Sequence, residues 1–114
     1  MNRSIIIIVA VLLTSCGSKN HFKLPKSDLK VSLRQESQFN IACAVPIDSP
    51  EFKSIQNWLT TNQSDWHKSP GSYLPNKVIT GTGFKAQILL NSIVINDLWV
   101  HGIDNVFYES IRCK

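Results

Sequence analysis

The stretch "FKAQILLNSIVINDLWV", Phe84 to Val100, decides the fold. Two apolar runs flank Asn91-Ser92, and two polar residues between such runs predict a tight antiparallel hairpin. With the turn placed there, Leu90 faces Ile93, Ile88 faces Ile95, Ala86 faces Asp97 and Phe84 faces Trp99. The apolar partners then share one face. The other face carries Leu89 opposite Val94 and Lys85 opposite Leu98. A sheet that is apolar on both sides either has both covered or offers one to a partner.

Working outward, the same period of two recurs. Leu29, Val31 and Leu33 alternate with Lys30, Ser32 and Arg34, the pattern of a half-buried strand. Phe39, Ile41, Cys43 and Val45 alternate again beyond a polar break, so the two runs predict a second hairpin. Val78 and Ile79 open a short strand, and Gly81-Thr82-Gly83 allows a bend or bulge after it. At the C-terminal end, Phe107, Ile111 and Cys113 are read as one side of a last strand.

One segment breaks the pattern. In "DSPEFKSIQNWLTTNQ", Asp48 to Gln63, Ser49 suits an N-cap, Pro50 the first helical position and Glu51 the positive end of the helix dipole. Phe52, Ile55 and Leu59 then fall on one helical face, with Trp58 beside them. The loop that follows, Ser64 to Lys77, holds Pro70, Gly71 and Pro75, which forbid a long regular element. The fold expected is α+β: a small antiparallel sheet of about five or six strands with one main helix packed on one face.

The 114 residues suit one domain. A net charge of +4 spread over scattered lysines does not point to nucleic acid. A hydrophobic content of 43% excludes global disorder.

The chain opens differently. Arg3 is followed by the nine-residue apolar run Ile5 to Leu13, then Thr14, Ser15 and Cys16. That run is too short to span a hydrocarbon core of about 30 Å and has the layout of a secretory signal peptide. Leu13-Thr14-Ser15-Cys16 resembles the lipobox of bacterial lipoprotein precursors; an ordinary signal peptide with a chance cysteine is the alternative. The resemblance covers the first 16 residues only. It implies removal of residues 1–15, a lipid on the Cys16 thiol and acylation of the new N-terminus. It also implies a bilayer anchor, and Gly17 rather than Asp after the cysteine favours the outer membrane, facing the periplasm.

Residues 16–27 then read as the lipidated cysteine and a polar tether, and residues 28–114 as the single domain. Lys19, Lys23 and Lys26 are either a solvated spacer or neighbours of anionic head groups. Cys43 and Cys113 remain, an even pair in an exported chain, which suggests a disulfide. Two separate buried thiols are the alternative.

No catalytic or cofactor pattern stands out. His21, His67 and His101 lack zinc-site spacing, although His67 and His101 with Asp65 or Asp104 are the nearest to a site. There is no Gly-x-Ser-x-Gly elbow and no phosphate loop. The function expected is therefore contact with another protein, of inhibitor, immunity or exclusion type, without a cofactor. An accessory subunit of an envelope assembly is the alternative, and a cell-envelope hydrolase ranks below both. The candidate contact residues are Trp66, Tyr73, Leu89, Val94 and Leu98.

Overall fold

Most of the alternating runs become sheet. The computed structural model describes residues 18–36, 38–69 and 71–112. Strands β1 (Leu29–Gln35) and β2 (Gln38–Val45) form the first hairpin. The helix α1 (Pro50–Thr61) and the two-residue β3 (His67–Lys68) follow. Then come β4 (Lys77–Gly81), β5 (Phe84–Ile88), β6 (Ser92–Ile95), β7 (Trp99–Gly102) and a short helix α2 (Asn105–Ser110). All strand pairs are antiparallel, in one sheet of order β2-β1-β4-β5-β6-β7-β3. The α+β expectation holds in its coarse form, and its five or six strands and one main helix become seven strands and two helices among the described residues.

The start of α1 follows its sequence. The Ser49 hydroxyl accepts from the Phe52 N–H at 3.2 Å, and Pro50 sits where no N–H is needed. Its buried face is Phe52, Ile55 and Leu59. These join Leu29, Val31, Ile79, Ala86, Ile88, Ile93 and Ile95 in one core. Burying each of the Val, Leu, Ile and Phe side chains contributes roughly 1.5–3 kcal/mol, so this layer holds the domain together.

Three local readings are corrected. The Phe84–Val100 stretch is not one hairpin but three strands. Ile88 pairs with Ile93 and Ala86 with Ile95, a slip of two residues from the expected register. The wider turn has the Leu89 N–H donating to the Ser92 carbonyl at 2.9 Å. A slip of two preserves the side-chain period, so the core face survives. The chain then turns again at Asn96 and Asp97, at φ 52 and φ 59. Asn and Asp tolerate this left-handed backbone better than other residues with side chains. Ile95 therefore faces Trp99 across a three-residue loop.

The second correction lies in β2. Val31 pairs with Cys43 but Ser32 pairs with Ile41, so Ala42 is an extra residue, a bulge. Beyond it the faces exchange. Val45 is buried and Cys43 half-buried, whereas Phe39 and Ile41 turn away from the core. The third correction concerns the last strand, which is the helix α2. The Asp104 carboxylate accepts from the Phe107 N–H at 2.8 Å as its N-cap. Phe107 and Ile111 are buried at helical spacing.

The expected tether is also corrected for its described residues. Ser18 pairs with Trp66 through two backbone hydrogen bonds of 3.0 and 3.1 Å. The Asn20 N–H donates to the Gln63 carbonyl at 2.8 Å. Leu24 is buried, and its N–H donates to the Gln56 side chain at 2.8 Å. Pro25 packs over Gly81, where a Cβ would lie 2.7 Å from the proline Cγ and 2.8 Å from Leu29 Cδ2. The segment belongs to the domain.

Candidate functional site

Two of the five candidate contact residues are interior. Trp66 is 0% exposed. Its ring meets Phe22 at 4.7 Å, His101 at 4.9 Å and Trp58 at 6.2 Å. Its indole N–H donates to the Asn62 carbonyl at 2.7 Å. A buried indole needs such an acceptor, and the end of α1 supplies it. Trp58 also stacks on Phe107 at 4.6 Å, so the cluster joins both helices to the N-terminal segment. Trp66 is a core residue and not a docking anchor.

Val94 is likewise 0% exposed, yet it stands outside the main core. It pairs with Gln87 on the face opposite Ile88 and Ile93. Gly71, Ser72 and Tyr73 line one hollow with Gln87, Val94 and Asp97. The stretch from Gly71 to Tyr73 therefore covers this half of the second face. The three apolar candidates of the second face separate: Val94 is covered, Leu89 is half-buried in a turn, and Leu98 lies exposed in the β6–β7 turn. Tyr73 remains half-exposed above the hollow.

The other half of that face is open, and sequence reasoning missed it. Phe39 is 41% and Ile41 66% exposed. They pair with Arg34 and Ser32 of β1 and sit on β2, the end strand of the sheet. Among the described residues nothing pairs with the outer side of β2. An unpaired strand with apolar side chains is a template for another chain. The missed signal was the bulge: strict alternation from Phe39 to Val45 gives no hint that Ala42 reverses the faces.

A second concavity, of about 280 Å³, runs between α1 and α2. Trp58 and Phe107 line it with Ser54, Asn57, Asp104 and the exposed Val106. Lys77 fixes α2 from below. Its ammonium donates to the Tyr108 carbonyl at 2.9 Å and to the Ile111 carbonyl, and lies 4.1 Å from the Tyr108 ring centre. Burial pushes its pKa below the ordinary lysine value.

The polar candidates are occupied structurally. Asp104 caps α2, and His101 packs against Trp58 and Trp66 while its Nδ1 lies 2.6 Å from the Gly102 carbonyl. Among the described residues no group of three or more His, Cys, Asp or Glu is arranged to hold a metal ion. Cys16 and Cys113 lie outside the described residues. Cys43 does not stand as a free thiol. It lines a hollow with Glu51 and Arg112, the residue before Cys113.

No family model matches the chain, and no curated protein or solved structure matches it.

Proposed function

We propose that the chain is a bacterial envelope lipoprotein, anchored through acylated Cys16, whose domain works by binding another protein. The anchor rests on the Leu13-Thr14-Ser15-Cys16 lipobox. A thiolate is the nucleophile that a lipid donor can alkylate, and two or more acyl chains give stable anchoring. Gly17 after the cysteine favours the outer membrane, with the domain in the periplasm.

The observation that carries the binding role is the open end of the sheet. β2 is eight residues long, is the end strand of the sheet among the described residues, and exposes Phe39 and Ile41. A partner strand laid along it gains main-chain hydrogen bonds, and the two side chains supply specificity. We also propose a Cys43–Cys113 bridge, supported by Arg112, the residue before Cys113, lining the same hollow as Cys43. It would fix the end of β2 where the edge begins.

A photo-crosslinking residue placed at Ile41 of the lipidated protein tests the role in intact envelopes. One discrete protein adduct is expected, absent when the probe sits at exposed Lys53 on α1. An adduct with a large assembly selects the accessory-subunit role over inhibition or immunity. No adduct at Ile41 ends the proposal for this edge.

A further inference from the structure

The N-terminal segment sets how the domain meets a bilayer. This inference rests on acylation of Cys16. Ser18 is two residues from that cysteine, and two residues span at most about 7 Å. Ser18 is itself held by both of its backbone hydrogen bonds to Trp66. Asn20, Phe22 and Leu24 continue the attachment, through Gln63, the Trp66 ring and Gln56 in turn. A lipid on Cys16 would thus lie within about 7 Å of chain from a fixed point of the domain, beside the start of β3.

The segment alternates. Asn20, Phe22 and Leu24 turn inward, while Lys19, His21 and Lys23 are exposed between them. From Ser18 to Ser27 there is no Asp or Glu. Exposed Lys68 follows two residues after the Trp66 that Ser18 pairs with, and Asp65 is the one acid in the facing stretch Ser64–Lys68. Cations beside an acyl anchor, with almost no acid among them, complement an anionic headgroup layer. β2, the strand furthest from β3 in the sheet order, is left away from the anchor.

We propose that the acylated protein lies clamped on the bilayer, with Lys19, Lys23 and Lys68 against anionic phospholipid headgroups and the β2 edge presented away from the membrane. A contact near about 1 kcal/mol per lysine corresponds to roughly fivefold occupancy.

The test is amine labelling of the intact acylated protein, read lysine by lysine by mass spectrometry. In phosphatidylethanolamine–phosphatidylglycerol vesicles, Lys19 and Lys23 should label roughly fivefold more slowly than in phosphatidylcholine vesicles. Lys53, exposed on α1, should label equally in both. Eight Gly/Ser residues inserted after Gly17 should restore fast labelling without releasing the protein from vesicles. If the protein is acylated and vesicle-bound but Lys19 and Lys23 label like Lys53, the clamp is wrong and the anchor stands. Equal protection in both lipids overturns the anionic contact. A protein with unmodified Cys16 that stays off vesicles overturns the anchor itself.

Discussion

The two ends of the sheet are finished in opposite ways. At the β3 end, a polar segment from Ser18 to Leu24 is tied down, and Trp66 is sealed beneath it. At the β2 end, an apolar strand is left open with Phe39 and Ile41 outward. Composition alone would assign the roles the other way round. What decides is backbone geometry: Ser18 completes a backbone pair with Trp66, and the Ala42 bulge takes two apolar residues out of the core. Free edges are a liability that folded proteins blunt or use, and this domain does one at each end.

The largest effect should come from the sealed end. Trp66→Ala removes a fully buried ring, three aromatic contacts and the hydrogen bond to Asn62. A loss of roughly 3–5 kcal/mol is expected in urea unfolding. The Ser18–Leu24 amides should lose hydrogen-exchange protection with it. Retained protection would show that the segment docks without the ring.

Much of this architecture was legible. Period-2 runs placed β1, β2 and β5, and Ser49-Pro50-Glu51 placed the start of α1 within the cap itself. The failures are local. Asn96-Asp97 is a turn signal hidden inside an apolar run, and its positive φ values are what split β6 from β7. Asp104 with Phe107 and Ile111 is a cap followed by helical spacing, but the stretch is short enough to pass for a strand. Asn20, Phe22 and Leu24 alternate inside a basic stretch whose charge masks the period. The candidate contact site fared worse. Size and apolarity, which mark Trp66 and Val94 as contact candidates, are the same properties that bury a residue. Whether the loop covers Val94 depends on the loop's path, which no local pattern encodes.

The next effect sharpens the open end. Cys43→Ser removes the proposed bridge, which would close a loop of about 70 residues and contribute roughly 4 kcal/mol in the chain-entropy model. Non-reducing peptide mapping should join the Cys43 and Cys113 peptides. Wild-type protein whose stability is unchanged by reductant would sink the bridge.

Returning to the sealed end, Gly81→Ala places a methyl against Pro25 and Leu29. The proline ring cannot swing aside as a flexible side chain would, and Leu29 is fully buried. Overpacking of this kind costs about 1–3 kcal/mol. Thermal unfolding should show the loss, and shortening Pro25 to Ala should recover part of it. A neutral Gly81→Ala would mean that the segment rests on β4 less tightly than its contacts indicate.

The smallest effect is the most discriminating, because it compares two positions of one strand. Ile41 and Val45 carry the same parity in the sequence, so strict alternation would put both in the core. The bulge between them puts Val45 inside, 6% exposed, and Ile41 outside. Ile41→Lys should therefore change stability by no more than about 0.5 kcal/mol. Lysine is also a residue that edge strands use to discourage pairing, so the same change should remove the crosslinked partner while the domain stays folded. Val45→Lys should instead bury an unpaired ammonium and unfold the domain. Denaturant midpoints for the two variants, measured side by side, settle the matter. If Ile41→Lys falls as far as Val45→Lys, then Ala42 does not bulge, Phe39 and Ile41 belong to the core, and the open edge loses its apolar face.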